Sequence, residues 1–477
     1  MLFNSIDFVV FLPIVFLLYW FVLNKNLRLQ NFLLLVASYV FYGWWDWRFL
    51  SLIAFSTLVD YTLGVLLGKE QKEGKRKLYL WLSIVVNLGF LGFFKYYNFF
   101  VESFVDAFTF FGQEIEIGTL NIILPVGISF YTFQTLSYTI DVYKRNLEPT
   151  KKFIAFAAFV SFFPQLVAGP IERATNLLPQ FYVKRNFTYD NAVNGMRQIL
   201  WGLFKKIVIA DNCAKYANII FNNSDDYSGS TLLLGALFFT FQIYGDFSGY
   251  SDIAIGTSRL FGFELKQNFA FPYFSRDIAE FWRRWHISLS TWFRDYLYIP
   301  LGGSKGGINM KIRNTFIIFL VSGFWHGANW TFVAWGFLNA LYFLPLLLLK
   351  RNRVNTNVVA EGKMFANAKE LSQMFITFLI TVLAWVFFRA DNLTHAFSYL
   401  GGIFNVNLFS FPEIFPKEVL VLVLFFMMIE WFGRATQFAL ENITKQHRVV
   451  RWAFYIGIIV LMFVYTGEEQ EFIYFQF

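Results

Sequence analysis

The sequence contains little charge for its length. Only 15% of its 477 residues are Asp, Glu, Lys or Arg, whereas 57% are hydrophobic and 22% are aromatic. Ordinary soluble domains are about 25% charged and about 45–50% apolar. A water-soluble core of this size cannot bury 65 phenylalanines and 15 tryptophans. The composition, with a mean hydropathy of +0.48, therefore excludes a soluble globular protein and predicts a polytopic membrane protein.

Cysteine and histidine are scarce, which excludes two kinds of site. The single cysteine, Cys213, excludes an intrachain disulfide framework and a multi-cysteine metal site. Only four histidines occur, and none lies in an H-E-x-x-H motif, so we expect no metal ion. Residues 1–23 lack both a basic start and a small-residue cleavage site, which favours a retained first helix over a removable signal peptide.

The formal net charge of +8 does not indicate a nucleic-acid partner, because the basic residues cluster in short loops between apolar segments. This distribution is typical of membrane proteins, whose cytoplasmic loops are rich in Lys and Arg. The basic loops at 69–77 and 144–152 are therefore expected in the cytoplasm, and the acidic segment 101–121 outside. The lipid bilayer is therefore an expected partner, and no nucleic acid is expected.

The apolar segments predict an all-α fold. A spanning helix needs about 20 mainly apolar residues, and the sequence predicts about eleven helices that cross or enter the bilayer, some of them broken or re-entrant. No linker or composition change divides the chain, so we expect one integral-membrane domain over 1–477. Its polar motifs concentrate in a core at about 122–349.

His326 is the most informative residue. It lies in the motif GFWHGANW (323–330), inside an apolar stretch that runs from 314 to 349. A titratable ring at membrane depth is a functional candidate by default, although a buried structural histidine is the alternative. We expect a helical hairpin with a break near Gly323, Gly327 and Asn329, and we expect these glycines to open the helix packing around the ring.

A second polar region, 276–295, contains His286 and several aromatic and basic residues. A helix here would place Glu280 four residues before Arg284, which is a favourable pairing. One interpretation is an amphipathic helix that anchors the protein at the membrane interface. The other is a helix that lines a pocket, with His286 facing into it. The candidate substrate contacts here are Trp282, Trp285, Arg283 and Arg284, to which the His326 motif adds Trp325 and Asn329.

Two further segments carry weaker signals. The glycine-rich loop 301–307 and the cations that follow it could hold the phosphates of an acyl donor through Lys305, Lys311 and Arg313, or they could form an ordinary cytoplasmic turn. The segment 242–252 places Asp246 inside an apolar stretch. Asp246 could contact substrate, or it could belong to a polar helix–helix contact that small residues allow.

Several segments together resemble the membrane-bound O-acyltransferase (MBOAT) family. They are MLFNS (1–5), LPVGISFYTFQ (124–134), FPQLVAGPI (163–171), YGDFSGYSD (244–252), FWRRWHISLSTWFRD (281–295), GFWHGANW (323–330) and the aromatic C-terminus. The likeness is greatest to the bacterial branch with the alginate and peptidoglycan O-acetyltransferases, which implies a location in the bacterial cytoplasmic (inner) membrane. The resemblance implies a helical bundle with a central funnel or tunnel. The signature histidine of the family corresponds to His326, and its second histidine corresponds to His286.

The resemblance also implies a reaction. Such enzymes move an acyl group from a cytoplasmic thioester, here acetyl-CoA or an acyl carrier, to a hydroxyl group, without a permanently bound cofactor. His326 would remove the proton of the hydroxyl as it attacks, which is typically worth about 10²–10⁴-fold in rate. The acceptor would be an extracytoplasmic polysaccharide, or the acyl group would pass to a partner transferase. D-alanyl transfer to teichoic acid and a lipid-linked glycan transporter without acyl chemistry are the alternatives.

Overall fold

The computed structural model describes residues 1–110, 117–167, 169–467, 470 and 472–473. Glu114 and Glu116 of the acidic segment, Ala168 of the 163–171 motif and residues 474–477 of the aromatic C-terminus lie outside the described residues. Every regular element within the described ranges is helical, which confirms the predicted all-α fold. The described residues group into two compact units, and the single domain stays a prediction.

Unit 1 comprises Met1–Val193 and Thr257–Leu265. Its helices are α1 (Ile6–Leu17), α2 (Leu27–Gly43), α3 (Leu50–Lys69), α4 (Glu73–Leu91), α5 (Tyr97–Phe110), α6 (Ile128–Tyr143), α7 (Phe153–Ser161), α8 (Phe163–Leu166) and α9 (Ala174–Leu177). Helix α5 occupies much of the segment that we expected to be an acidic loop. Its Phe- and Val-rich sequence continues the apolar pattern of α4, so the acidic side chains there do not interrupt the helix.

Unit 2 comprises Asn194–Gly256 and Lys266–Phe477. Helix α10 (Tyr189–Phe204) leads into it, and α12 (Gly229–Leu260) lies mostly within it. Its other helices are α11 (Asp211–Asn222), α13 (Ile278–Arg284), α14 (Ile287–Phe293), α15 (Gly307–His326), α16 (Trp330–Leu348), α17 (Ala368–Arg389), α18 (Leu393–Ile403), α19 (Lys417–Gly433) and α20 (Arg448–Val464). A π-helix, Lys205–Ala210, joins α10 to α11.

Five helical segments of the described chain are long and apolar enough to cross a membrane. They are Trp47–Lys69, Glu73–Phe110, Gly229–Leu260, Trp330–Leu348 and Ala368–Arg389, and shorter apolar helices cover Ile6–Val22 and Phe153–Leu166. In an apolar 18-residue window of each segment, 83% of the residues are buried in Gly229–Leu260 but only 17% in Glu73–Phe110, which is the difference expected between a helix covered by protein and a lipid-facing one. The count of about eleven helices stays a prediction.

The expected hairpin at the end of the core is confirmed. Helix α15 ends at His326, α16 begins at Trp330, and the three residues between them form the break. The glycines do not open the packing as expected. A Cβ atom on Gly323 would lie 2.2 Å from the carbonyl oxygen of Phe332, and one on Gly336 would lie 2.3 Å from that of Phe319. These glycines therefore let the two helices approach closely, as small residues do between membrane helices.

Candidate active site

His326 is the last residue of α15, at the tip of the hairpin. Its side chain is only 2% exposed. Its imidazole lies 5.2 Å from the ring of Trp335 and 5.3 Å from that of Phe388, centroid to centroid. Helices α16 and α17 therefore supply an aromatic wall that fixes the orientation of the ring and removes water from it.

His286 occupies a break in the amphipathic segment. We expected one helix there, but α13 ends at Arg284 and α14 begins at Ile287. His286 has φ 43° and ψ 54°, in the left-handed region, which a side chain adopts only when its surroundings compensate for the strain. The compensation comes from two backbone hydrogen bonds of 2.9 Å, Ala270 N–H to the Arg284 carbonyl and Ile287 N–H to the Asn268 carbonyl.

Asn268 also fixes the tautomer of His286. Its Oδ1 accepts hydrogen bonds from the backbone N–H and the hydroxyl of Ser288, at 3.3 and 2.8 Å, so it acts as an acceptor. His286 Nδ1 lies 3.1 Å from the same oxygen and must therefore carry hydrogen. In the neutral imidazole, the Nε2 atom is then the one with a lone pair that can accept a proton or a hydrogen bond.

Burial keeps the imidazole of His286 neutral. The residue lies between two helices that are too short to span a membrane, and it is 1% exposed. Burial lowers its pKa from the ordinary 6.5 to about 3, because desolvation disfavours the charged ring. Phe247 packs edge-on against the ring, with centroids 4.7 Å apart. A neutral imidazole is the form that a general base requires.

The structure brings the two histidines together. Their rings lie 6.5 Å apart, centroid to centroid, with planes inclined by 58°, although forty positions separate them in the sequence. A hydroxyl group between two such rings could lie within hydrogen-bonding distance of both. Because both side chains are almost fully buried, substrates reach the rings only when the surrounding side chains move. The predicted tunnel is thus not open at the rings, and it stays a prediction.

The predicted tryptophans surround this pair in different ways. The ring of Trp325 lies 6.1 Å from that of His286 and 5.0 Å from that of His326. Trp285 is 1% exposed and packs 5.0 Å from Trp385. Trp282 is half-buried and donates to Asn339 Oδ1 at 3.2 Å. Trp325 is therefore the tryptophan that could contact a bound acyl group, whereas Trp285 and Trp282 support the wall behind it.

Asn329 is placed at the hairpin tip but is engaged in the fold. Its Oδ1 accepts from Thr331 N–H at 2.9 Å and so caps α16, and its Nδ2 donates to the Asp391 carbonyl at 2.8 Å. Its predicted contact with substrate would require these two bonds to break, so the structure accounts for Asn329 as a helix cap.

The two predicted arginines hold a loop, and they do not face the histidines. Arg283 donates to the carbonyls of Asn352 and Asn355 at 2.8 and 2.6 Å. Arg284 pairs with Glu280 at 2.9 Å, which confirms the expected spacing of four residues. Arg276 pairs with Glu280 as well, at 3.0 Å. These bonds fix the position of α13 and thereby of His286.

Asp246 belongs to a buried charged network that the sequence analysis did not identify. Its carboxylate lies 2.9 Å from Lys206 Nζ and accepts from Ile473 N–H at 2.6 Å. Lys206 also pairs with Asp211 at 2.8 Å, and Lys205 pairs with Asp252. The structure shows the polar helix–helix contact of Asp246, and its contact with substrate stays a prediction. In the sequence, the adjacent residues Lys205 and Lys206 lie between apolar stretches, and this pattern could have indicated the network.

Small residues make this contact possible. A Cβ atom on Gly249 of α12 would lie 2.8 Å from the carbonyl oxygen of Gly202 on α10. The close crossing brings the π-helix that carries Lys205 and Lys206 against the acidic residues of α12. Such a π-segment is often found at a functional site, but here its lysines are neutralised by carboxylates.

The predicted phosphate contacts lie at the other end of α15. Lys305 is exposed in the loop before the helix, and Lys311 is half-buried in its first turns. Arg313 donates to the Leu301 carbonyl and to Asn314 Oδ1, at 3.1 and 2.9 Å. Lys311 and Arg313 precede His326 in α15, so they lie about 20 Å from it along the helix axis, and Lys305 lies before the helix begins. They cannot touch the histidines, and a role in holding a donor stays a prediction.

Comparison with known proteins identifies the family. Residues 40–388 match the model of the membrane-bound O-acyltransferase family. The chain is 41% identical over 440 residues to the probable alginate O-acetylase AlgI of Pseudomonas aeruginosa, with 91% of this chain and 81% of that protein covered. It is 38% identical over 437 residues to the peptidoglycan O-acetyltransferase of Helicobacter pylori, with 85% and 80% covered.

A third relative, with lower identity, is named for the transfer of a D-alanyl group and not an acetyl group. The chain is 30% identical over 304 residues to the teichoic acid D-alanyltransferase of Streptococcus thermophilus, with 57% of this chain and 69% of that protein covered. The matched region of the family model includes both histidines, the hairpin and the buried charged network. The chain therefore belongs to the membrane-bound O-acyltransferase family and is a multi-pass membrane O-acyltransferase.

Proposed function

We propose that this enzyme transfers an acetyl group from a cytoplasmic thioester to a hydroxyl of an extracytoplasmic cell-surface polysaccharide, directly or through a partner transferase. The names of the alginate and peptidoglycan O-acetyltransferases at 41% and 38% identity support acetyl as the group and a glycan as the acceptor. The proposed location is the bacterial cytoplasmic membrane, where a thioester on one side and a glycan on the other can meet at one buried site.

The observation that carries the proposal is the pair of buried imidazoles 6.5 Å apart, with His326 at the hairpin tip and His286 between α13 and α14. A thioester carbonyl is already electrophilic, whereas a sugar hydroxyl is a poor nucleophile at neutral pH. His326 accepts the hydroxyl proton as the oxygen attacks the carbonyl carbon, and the thiolate leaves as the thiol once it takes up that proton. A positioned base of this kind contributes about 10²–10⁴-fold in rate.

His286 has a supporting role in this proposal. Because Nδ1 is engaged with Asn268, the lone pair of Nε2 accepts a hydrogen bond from a second hydroxyl of the acceptor sugar. The proton of the attacking hydroxyl goes to His326, and the bond to His286 orients the sugar toward the thioester. The aromatic wall excludes water, which would otherwise compete as an acceptor and hydrolyse the donor. Trp325, which lies beside both rings, would contact the small acetyl group.

The test is acyl transfer by the purified enzyme in lipid nanodiscs, with and without an added glycan. Thiol release from acetyl-CoA and the mass of the glycan are measured together for the native chain, His326→Ala and His447→Ala. His447 is an exposed helix-capping residue, so its variant controls for the loss of a histidine. We expect His326→Ala to lose at least about 10²-fold in rate and His447→Ala to stay active.

An active His326→Ala enzyme that is correctly folded would contradict the proposed role. The relay through a partner is distinguished by acetyl groups that leave the donor only when the partner transferase is present. D-alanyl transfer is the second candidate, because of the relative at 30% identity. A D-alanyl thioester on its carrier protein, offered in the same assay, distinguishes it from acetyl transfer.

A further inference from the structure

A cavity of about 600 Å³ lies where the first turns of α2 and α7 meet in unit 1. Leu27 and Arg28 of α2 line one side, and Lys151, Lys152 and Phe153 line the other. The three cationic side chains are exposed. The volume is within the range of small-molecule sites, which is about 300–1,000 Å³.

The positive charge of this cavity is not balanced within the described part of the chain. No described carboxylate forms an ion pair with Arg28, Lys151 or Lys152, and Lys152 Nζ lies 5.1 Å over the ring of Tyr182. By contrast, Lys75 of the same unit pairs with Glu70 at 3.7 Å. Three neighbouring cations repel one another, so an anion in the cavity would relieve that repulsion.

A second, smaller cavity of about 280 Å³ adds to the charge and contains Lys25 and Lys184 among its lining residues. The two cavities are neighbours. Arg185, which lines the second, donates to Oδ1 of Asn31, which lines the first, at 2.7 Å. Five exposed cations therefore line these two neighbouring cavities of unit 1.

The backbone at the cavity adds to its preference for an anion. Helix α7 begins there, and no side chain caps its first turn. The N–H groups of that turn have no partner within the helix, and they give it a partial positive charge. The amides of Phe153, Ile154 and Ala155 are thus available beside the cations that line the same cavity.

An exposed apolar stripe continues from the cavity along α2. Leu29, Phe32, Val36 and Val40 keep 45%, 49%, 43% and 45% of their surfaces exposed. Their spacing of three or four residues places them on one face of the helix. A phosphate with acyl chains would use both the cations and this stripe, whereas a free phosphate or a nucleotide would leave the stripe uncovered.

We propose that this region of unit 1 binds an anionic phospholipid. The headgroup phosphate lies among Arg28, Lys151 and Lys152, and the acyl chains follow the apolar stripe of α2. Basic pockets between membrane helices recognise anionic lipid headgroups in this way. The test measures lipid binding and not acyl transfer, so it does not depend on the proposed function.

The test compares the full-length protein with the triple variant Arg28→Gln, Lys151→Gln, Lys152→Gln. The matched control is Lys69→Gln, Lys72→Gln, Lys77→Gln, which removes the same charge from exposed lysines elsewhere in unit 1. Native mass spectrometry measures the affinity for phosphatidylglycerol and for phosphatidylcholine of the same acyl length. Thermal unfolding in each lipid shows that all three proteins are folded.

We expect the native chain and the control to prefer phosphatidylglycerol, and the cavity variant to lose about tenfold or more of that affinity, since each cation near a membrane surface contributes about 1 kcal/mol. Equal affinity for the two lipids in the native chain would overturn the proposal, as would equal losses in both triple variants. Coenzyme A and inorganic phosphate are offered separately to the protein in phosphatidylcholine. Tight binding of either, lost only in the cavity variant, would assign the region to a soluble phosphate and overturn the lipid.

Discussion

Unit 2 buries two polar clusters of opposite character. One is charged, with Lys206 between Asp246 and Asp211 at 2.9 and 2.8 Å. The other holds the imidazoles of His326 and His286 inside a shell of aromatic rings. In the first, each charge is neutralised by its neighbours. In the second, burial keeps the imidazole of His286 neutral and leaves a lone pair that can take a proton.

The charged cluster can stabilise the fold, whereas the histidine pair can take part in a reaction. A buried ion pair costs much to break and offers nothing to a substrate, because its atoms are already engaged. A neutral imidazole at depth is available for proton transfer. Residue type and burial alone would rank Asp246 with His326 as candidates for the site, and only their partners distinguish them.

Lys206→Met should produce the largest loss of stability. It leaves Asp246 and Asp211 as buried carboxylates without their cation, and breaking a buried pair on one side costs about 3–5 kcal/mol. Chemical unfolding in detergent micelles measures the free energy. The triple variant Lys206→Met, Asp246→Asn, Asp211→Asn should recover part of the loss. His326→Gln serves as the comparison and should lose less, because it leaves no buried carboxylate without its cation. Equal losses for the two single variants would remove the distinction between the clusters.

Acid should destabilise the protein through His286. Its pKa is about 3 when folded and 6.5 ordinarily, so between these values the unfolded chain binds more protons than the folded one. The contribution of His286 to the free energy of unfolding is therefore fully present above pH 6.5. It falls by up to about 1.4 kcal/mol for each pH unit below that value. Melting temperatures from pH 4 to 8 check this. His286→Gln should flatten the acid side of the curve, whereas the exposed His447→Gln should not change it.

Asn268→Ala should slow the reaction without preventing folding. It removes the oxygen that holds His286 Nδ1, and a misplacement of about 1 Å in a catalytic group can cost about 10²-fold in rate. We expect the loss in kcat, with a smaller change in KM. Ser288→Ala is the matched control, because it leaves the Asn268 oxygen in place for the imidazole. A normal kcat in Asn268→Ala would show that the orientation of His286 has no part in the reaction.

Asn329→Ala should have the smallest effect. It removes the cap of α16 and the bond to the Asp391 carbonyl, which is typically worth about 1 kcal/mol of stability. The rate of acyl transfer in nanodiscs should change less than threefold, on the order of 0.6 kcal/mol. A large fall in kcat at unchanged stability would return Asn329 to the residues that contact substrate.

The predictions from sequence succeeded where the signal is local. The pairing of Glu280 with Arg284 follows from helical spacing, and the hairpin break at 327–329 follows from Gly327 and Asn329 within an apolar stretch. The predictions failed where the local structure depends on contacts with another segment of the chain. Gly323 was expected to open the packing, but it faces Phe332 of the next helix and closes it. The segment around His286 reads as one helix, yet Asn268 and Ala270 bond to its backbone and break it.

The sequence by itself determined the all-α fold, the membrane environment and the candidacy of both histidines, because hydropathy, helical period and residue type are properties of short segments. The tertiary structure alone decided that the rings of His286 and His326 lie 6.5 Å apart and that Asp246 is neutralised by Lys206. Each pair is forty positions apart in the chain. Which side chains meet over such a distance is set by the close packing of whole helices, and no local pattern contains it.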